Sequence, residues 1–465
     1  MTDRLSSGSD RLDGTLGGGL MANAINFLLG PPGSGKTILA QQYLFHNATD
    51  RRPGVYFSTV SEPLEKILRY AQTLTFFDRR ALGKSVLYED LGGVLNEKGL
   101  PGVLARVTEV LREQRPSLMA IDSFKATRSY ADGQEGFRRF LHDLAGRLSA
   151  YPVTSFWVGE YESGDIIEAP EFAVADAIIS LSSERRGERE SRSLQVLKLR
   201  GSDYQSGLHA YRLSESGLQV FPRMADPVDP SDYGLSDVRI PSGIPLFDAM
   251  LEDGFWPGAS TLVAGPSGAG KTLLGLHFVF NGLDTGEPGL FATMQENPSQ
   301  LERTANRFSW SFKSPGVELM YRTPVDLYLD EWVYDLLGTI ERTGARRVVI
   351  DSLGDLRAAA LDDIRFREYI YSLLQRCSRQ GVSVILTQEM PELFGVSRLS
   401  EYGVSHLSDN VVLLQFVRGK AELRRSITVL KTRASTHDPR SVQYDISTAG
   451  FVLGEPLSSS EALSS

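Results

Sequence analysis

Short, almost uninterrupted apolar runs recur along this chain, separated by longer stretches in which apolar residues return every three or four positions. In the first half the runs are Ala24–Leu29, Gly54–Ser58, Leu118–Ile121, Val153–Val158, Ala177–Leu181 and Leu194–Leu199. In the second they are Thr261–Ala264, Gly289–Thr293, Val348–Ile350, Val382–Leu386, Val411–Gln415 and Ile427–Lys431. A run without polar alternation is the pattern of a strand covered on both faces, and such strands alternating with amphipathic helices predict an α/β fold. Each half should therefore be a mostly parallel twisted sheet flanked by helices. The last two runs of each half are joined by a charged turn, Glu184-Arg185-Arg186-Gly187-Glu188 or Arg418-Gly419-Lys420-Ala421-Glu422, which predicts an antiparallel edge hairpin.

The two halves repeat one another. The first opens Ser6-Ser7-Gly8-Ser9-Asp10-Arg11-Leu12-Asp13 and the second Pro241-Ser242-Gly243-Ile244-Pro245-Leu246-Phe247-Asp248, each running through a strand into a glycine-rich loop. The loop lysines Lys36 and Lys271 are about 235 positions apart, far beyond a solenoid repeat and right for a duplicated domain. Phe221-Pro222-Arg223-Met224-Ala225-Asp226-Pro227-Val228-Asp229-Pro230 reads as a proline-stiffened linker. The expected division is a first domain over 1–228, a second over 229–453 and a disordered tail over 454–465.

A length of 465 residues agrees with two domains, and 41% hydrophobic residues are enough for two cores. The net charge of −9 disfavours nucleic acid or an anionic membrane as partner. The single cysteine, Cys377, rules out an intrachain disulfide and reads as a buried thiol on a helix face. The polar start and the lack of a long apolar run make the cytoplasm the expected location.

Gly30-Pro31-Pro32-Gly33-Ser34-Gly35-Lys36-Thr37 and Gly265-Pro266-Ser267-Gly268-Ala269-Gly270-Lys271-Thr272 both satisfy G-x-x-x-x-G-K-[ST], each after a strand and before a helix. Glycines let successive backbone N–H groups close around an anion, and the helix behind adds the positive end of its dipole. Gly33, Ser34, Gly35, Lys36 and Thr37, with Gly268, Ala269, Gly270, Lys271 and Thr272, are thus candidate ATP-binding residues. The lysines would serve the β- and γ-phosphates, and the Thr37 and Thr272 hydroxyls would serve Mg²⁺. The runs ending in Asp122 and Asp351 place a carboxylate at the carboxyl edge of a parallel sheet, where it would hold the same metal.

These motifs resemble the RecA-like P-loop ATPases and, within them, the KaiC family of double-domain proteins. Beyond the loops the resemblance rests on Asp122-Ser123, Asp351-Ser352, Lys198-Leu199-Arg200-Gly201, Lys431-Thr432-Arg433 and Ser408-Asp409-Asn410-Val411-Val412-Leu413-Leu414-Gln415. It implies two tandem RecA-like domains in a homo-oligomeric ring, usually a hexamer, with ATP between subunits and a regulatory protein partner. By position it implies that Lys198 and Arg200, and Lys431 and Arg433, reach the nucleotide of the adjacent subunit.

The chain departs from the family at two places. Where the family has paired glutamates after the second strand, the first half has Ser61-Glu62 and the second Gln295-Glu296, so Glu62 and Glu296 are the expected catalytic carboxylates. Glutamine accepts a proton poorly, which predicts slow hydrolysis. Ser405 falls on the family's phosphorylated serine and His406 on the neighbouring threonine, so the expected autokinase function reduces to Ser405. The clock members carry a longer carboxyl-terminal extension than the short stretch ending at Ser465, which argues against a full oscillator. Two other readings stand beside a regulatory ATPase: a RecA/RadA-type DNA-dependent ATPase, and a scaffold stabilised by nucleotide without turnover.

Overall fold

The computed structural model describes residues 3–60, 62–161, 169–186, 188–225, 234, 236–325, 327–360, 362–391, 404–418, 422–448 and 450–457. Ser61, much of the expected linker, the Ser400–Gly403 stretch, the middle of the second charged turn and most of the expected tail lie outside the described residues. Among the described residues no helix is long and apolar enough to cross a membrane. The chain divides into two compact units, Met1–Arg223 and Met224–Ser465.

The first unit begins with a two-stranded ribbon, β1 (Arg4–Leu5) and β2 (Leu20–Met21). Its main sheet contains β3 (Ile25–Leu29), β4 (Gly54–Ser58), β5 (Val86–Asp90), β6 (Leu118–Asp122), β7 (Thr154–Gly159), β8 (Ala177–Arg186), β9 (Arg189–Leu199), β10 (His209–Ser214) and β11 (Gly217–Phe221). In space the order is β5-β4-β6-β7-β3-β8-β9-β10-β11. From β5 to β8 the strands are parallel, and from β8 outward the pairing turns antiparallel.

The second unit repeats this plan with β12 (Ser260–Gly265), β13 (Gly289–Thr293), β14 (Val317–Tyr321), β15 (Arg347–Asp351), β16 (Ser383–Glu389), β17 (Asn410–Arg418), β18 (Leu423–Lys431), β19 (Val442–Ser447) and β20 (Gly450–Pro456). The spatial order is β14-β13-β15-β16-β12-β17-β18-β19-β20. The two RecA-like domains read from the sequence are therefore present. The antiparallel edge is longer than expected, because β10–β11 and β19–β20 form a further hairpin outside β8–β9 and β17–β18.

The uninterrupted apolar runs follow from a sheet buried on both faces. Along β3, Phe27 and Leu29 pack with Phe137 and Leu144 on one side, while Leu28 packs with Leu39, Tyr43 and Leu44 on the other. In β12, Leu262 joins Trp332 and Ile370 on one face, and Val263 joins Leu274 and Phe278 on the opposite face. Cys377 is buried in the helix Asp363–Arg379, where burial pushes its thiol up to about 12 and leaves it inert.

The loop strands β3 and β12 sit near the middle of their sheets, so each glycine-rich loop emerges where helices on both faces diverge.

Candidate functional site

In both units the central strand runs into the loop, and the loop runs into a helix, Lys36–Asn47 or Lys271–Asp284. Gly33 and Gly35 hold φ of 75° and 91°, and Gly268 and Gly270 hold 76° and 98°, conformations that an L side chain would strain. The helix Pro298–Asn306 is capped by the side chain of Asn297, and Asp363–Arg379 by that of Asp362. The two loop helices instead start at glycine with no side-chain cap and no acidic residue in the first turn. Their first amides are left for an external anion.

The threonines, aspartates and glutamates named from sequence gather around these loops. Thr37 Oγ1 donates to Asp122 Oδ2 at 2.5 Å, and Thr272 Oγ1 donates to Asp351 Oδ2 at 2.8 Å. Each pair places a hydroxyl beside a carboxylate, the hard oxygen set that magnesium takes while keeping phosphate and water as its other ligands. The peptide bond after each aspartate is cis. Burial raises the Asp122 carboxyl, while hydrogen bonds from Thr37 and Tyr56 and the charge of Lys36 pull it back. Lys36 and Lys271 are lowered by burial, offset by Glu160 and Asp122 in one unit and by Glu389 and Asp351 in the other. The loop and its surroundings line a cavity of about 970 Å³ in the first unit and about 330 Å³ in the second.

The carboxylates expected to activate water differ between the units. Glu62 lies in the first pocket but forms an ion pair with Lys66 at 2.7 Å, half exposed. Glu296 is turned further inward, and its pKa is raised by burial and by Asp351, with Thr272 opposing. Gln295 Nε2 donates to Asp355 Oδ1 at 2.9 Å.

Lys198, Arg200, Lys431, Arg433 and Ser405 are not brought to their own loops. Arg200 pairs with Asp176 at 3.2 Å, and Asp176 Oδ2 accepts the Ile25 N–H at the start of β3. Lys431 Nζ donates to the Ser405 and Ser408 carbonyls, and Arg433 to the His406 carbonyl, all just ahead of β17. These groups stand at the end of the sheet opposite the loop. The strand β12 alone, from Ser260 to Gly265, spans about 17 Å at the ~3.3 Å rise of a parallel strand.

Sequence reasoning missed the braces of the site. Tyr211 Oη donates to the Ser34 carbonyl at 2.7 Å, and Tyr444 Oη donates to the equivalent Ala269 carbonyl, so each outer hairpin props its phosphate loop. Tyr56 Oη donates to Asp122 Oδ2 at 2.6 Å, and Thr387 Oγ1 takes the comparable part at Asp351. The alternating strands around Tyr211 and Tyr444 were the available signal.

Two uncapped glycine-loop helices, each beside a hydroxyl–carboxylate pair in a mostly parallel sheet, define a tandem P-loop ATPase of the RecA-like class. A family model described as "ATPase: KaiC" matches residues 5–225 and again 240–458. The chain belongs to the KaiC family of ATPases. It is 30% identical to the circadian clock protein KaiC3 of Synechocystis sp., covering 98% of this chain and 92% of that protein. It is 27% identical to the circadian clock oscillator protein KaiC of Picosynechococcus sp. over 97% of this chain and 90% of that one. With the KaiC of Synechococcus elongatus it shares 26% over 93% and 85%.

Proposed function

We propose that this protein is a slow, magnesium-dependent ATPase that binds one ATP at each phosphate loop and assembles into a ring, a hexamer by resemblance, whose nucleotide state signals to a regulatory protein partner. Lys36, Thr37 and Asp122 would hold ATP and its metal in the first unit, and Lys271, Thr272 and Asp351 in the second. The bound magnesium would supply charge neutralisation at the β- and γ-phosphates. The chain's own residues do the rest: loop amides orient the phosphates, and Glu62 or Glu296 orients the attacking water.

The observation that carries the ring is the position of the strand-end cations. Lys198 and Arg200, like Lys431 and Arg433, lie about a strand's length from their own loops, so their charges are useful to a nucleotide only across a subunit boundary. Ser405 lies at that same far end, so its phosphorylation would also run between subunits, from the second-unit loop of a neighbour. Slow turnover is supported by Glu62 being engaged with Lys66 and Gln295 with Asp355.

Nucleotide stoichiometry and phosphate release by the wild type, Lys36→Ala and Lys271→Ala test the site assignment. Two nucleotides per chain are expected, with one lost in each variant. Unchanged binding and turnover in both would defeat it. Phosphopeptide mapping under saturating Mg-ATP tests Ser405, and absence of label there removes the kinase role.

A further inference from the structure

Each sheet inserts one strand between the loop strand and the strand bearing the metal-side aspartate, and a glutamate with no part in the proposed ATP chemistry stands at or just past the end of that strand. In the first unit β7 lies between β3 and β6, and in the second β16 lies between β12 and β15. Glu160 follows Gly159, the register partner of Leu29 at the threshold of the loop. Glu389 is itself the register partner of Gly265, the first loop residue. The two glutamates are equivalent in the duplicated plan. Each lines the same cavity as its loop lysine, its metal-side aspartate and Glu62 or Glu296.

Their charge falls on the lysine. Burial lowers Lys36 and Lys271, and the acid that most restores the protonated form is Glu160 in one unit and Glu389 in the other, ahead of Asp122 and Asp351. Yet the ammonium groups are hydrogen-bonded elsewhere: Lys36 Nζ donates to the Pro31 carbonyl at 2.7 Å, and Lys271 Nζ to the Gly265 and Pro266 carbonyls at 2.8 and 2.9 Å. Neither ammonium bonds to its glutamate in these contacts, so the carboxylate would act through space, across the cavity that a phosphate chain would enter.

We propose that Glu160 and Glu389 are positioning residues that set the balance between ATP and ADP at each loop. The inference rests on the reading of both cavities as ATP sites. A lysine that reaches the β- and γ-phosphates meets more negative charge with ATP than with ADP. A carboxylate sharing that lysine repels the additional γ-phosphate charge and has less to repel in ADP. It thereby moderates ATP affinity relative to ADP. The glutamate forms no bond with the reacting atoms and takes no proton.

The test uses fluorescent ATP and ADP analogues with saturating Mg²⁺ on the full-length chain. Glu160→Gln is read in a Lys271→Ala background and Glu389→Gln in a Lys36→Ala background, so that each site reports alone. Neutralising either glutamate should raise ATP affinity over ADP affinity by roughly five-fold, the scale of one charge acting across a wet pocket. The Michaelis constant for ATP should fall with kcat changed less than about two-fold. Glu160→Asp and Glu389→Asp should keep the parental ratio. An unmoved ATP/ADP ratio would overturn the proposal while leaving the ATP sites intact. A collapse of kcat at unchanged ATP affinity would overturn it as well, by making the glutamate the base. If the parental proteins bind neither nucleotide, the reading of the cavities fails first and this inference with it.

Discussion

His277 gives a prediction whose size follows from its surroundings. It is 7% exposed, its ring stands edge-on to Trp310, and its Nε2 accepts the Phe451 N–H at 3.1 Å. That bond ties the helix Lys271–Asp284 to β20 behind the second phosphate loop. Burial lowers the imidazole from 6.5 to about 4. Protonation would also consume the lone pair that accepts the Phe451 amide, so the charged ring cannot keep the bond. Because the folded pKa lies below the unfolded one, the unfolded chain binds the proton first as pH falls. The stability present above about pH 6.5 is therefore lost progressively toward pH 4. At about 1.4 kcal/mol per pKa unit, the full loss is ~3 kcal/mol, of which roughly 2 kcal/mol has gone by pH 5. The first unit suggests the control. There Gln42 occupies the equivalent place, and its Oε1 accepts the Leu218 N–H at 3.0 Å without titrating. His277→Gln should therefore stay within about 1 kcal/mol of wild type at pH 7 and flatten the pH response of the second unit. Urea unfolding at pH 7 and pH 5, followed by Trp310 fluorescence, reads the difference. If wild type and variant lose equal stability over that interval, His277 is not the titrating group and the reasoning fails.

Removal of the Tyr211 or Tyr444 hydroxyl by substitution with Phe leaves a buried loop carbonyl without its donor, which costs about 1–2 kcal/mol. Nucleotide affinity at the matching site should weaken about ten-fold with the rest of the fold retained, as titration calorimetry would show. Thr37→Ala and Thr272→Ala should raise the Mg²⁺ concentration needed for nucleotide binding, while binding without metal should change little; magnesium titrations check this. Arg347 is fully buried, donating to Glu287 and to the Pro241 and Phe278 carbonyls. Arg347→Met should destabilise the second unit by about 3 kcal/mol in denaturant unfolding, because it strands Glu287 and two carbonyls.

The central strands were legible because both their faces are covered, which writes burial into consecutive residues. The edge strands were not. Val86–Asp90 and Val317–Tyr321 have one sheet neighbour each and are only partly buried along most of their length, so no continuous buried run marks them. The outer hairpins mix buried, half-buried and exposed positions, so no uninterrupted run marks them either. Among site residues, the loops were readable because their chemistry is contiguous in the chain: glycines, lysine and threonine must be neighbours to wrap a phosphate. Tyr211 meets Ser34 only through sheet pairing across 177 positions. Glu160 and Glu389 owe their place to a strand inserted between two others, and nothing local announces a strand order. The fate of Glu62 was equally hidden, since its Lys66 partner is one helical turn away and reads as an ordinary surface pair.

In the proposed ring, a triphosphate held by one copy is completed by cations of another, and mixing two inactive variants probes that arrangement. One variant would carry Lys36→Ala and Lys271→Ala, and the other Lys198→Ala, Arg200→Ala, Lys431→Ala and Arg433→Ala. Each alone should hydrolyse little ATP. Mixed under assembly conditions, they should recover activity, because some boundaries then pair an intact loop with intact cations. If the mixture never exceeds the sum of its parts while mixed oligomers demonstrably form, the cations serve their own subunit or none, and the shared site is contradicted.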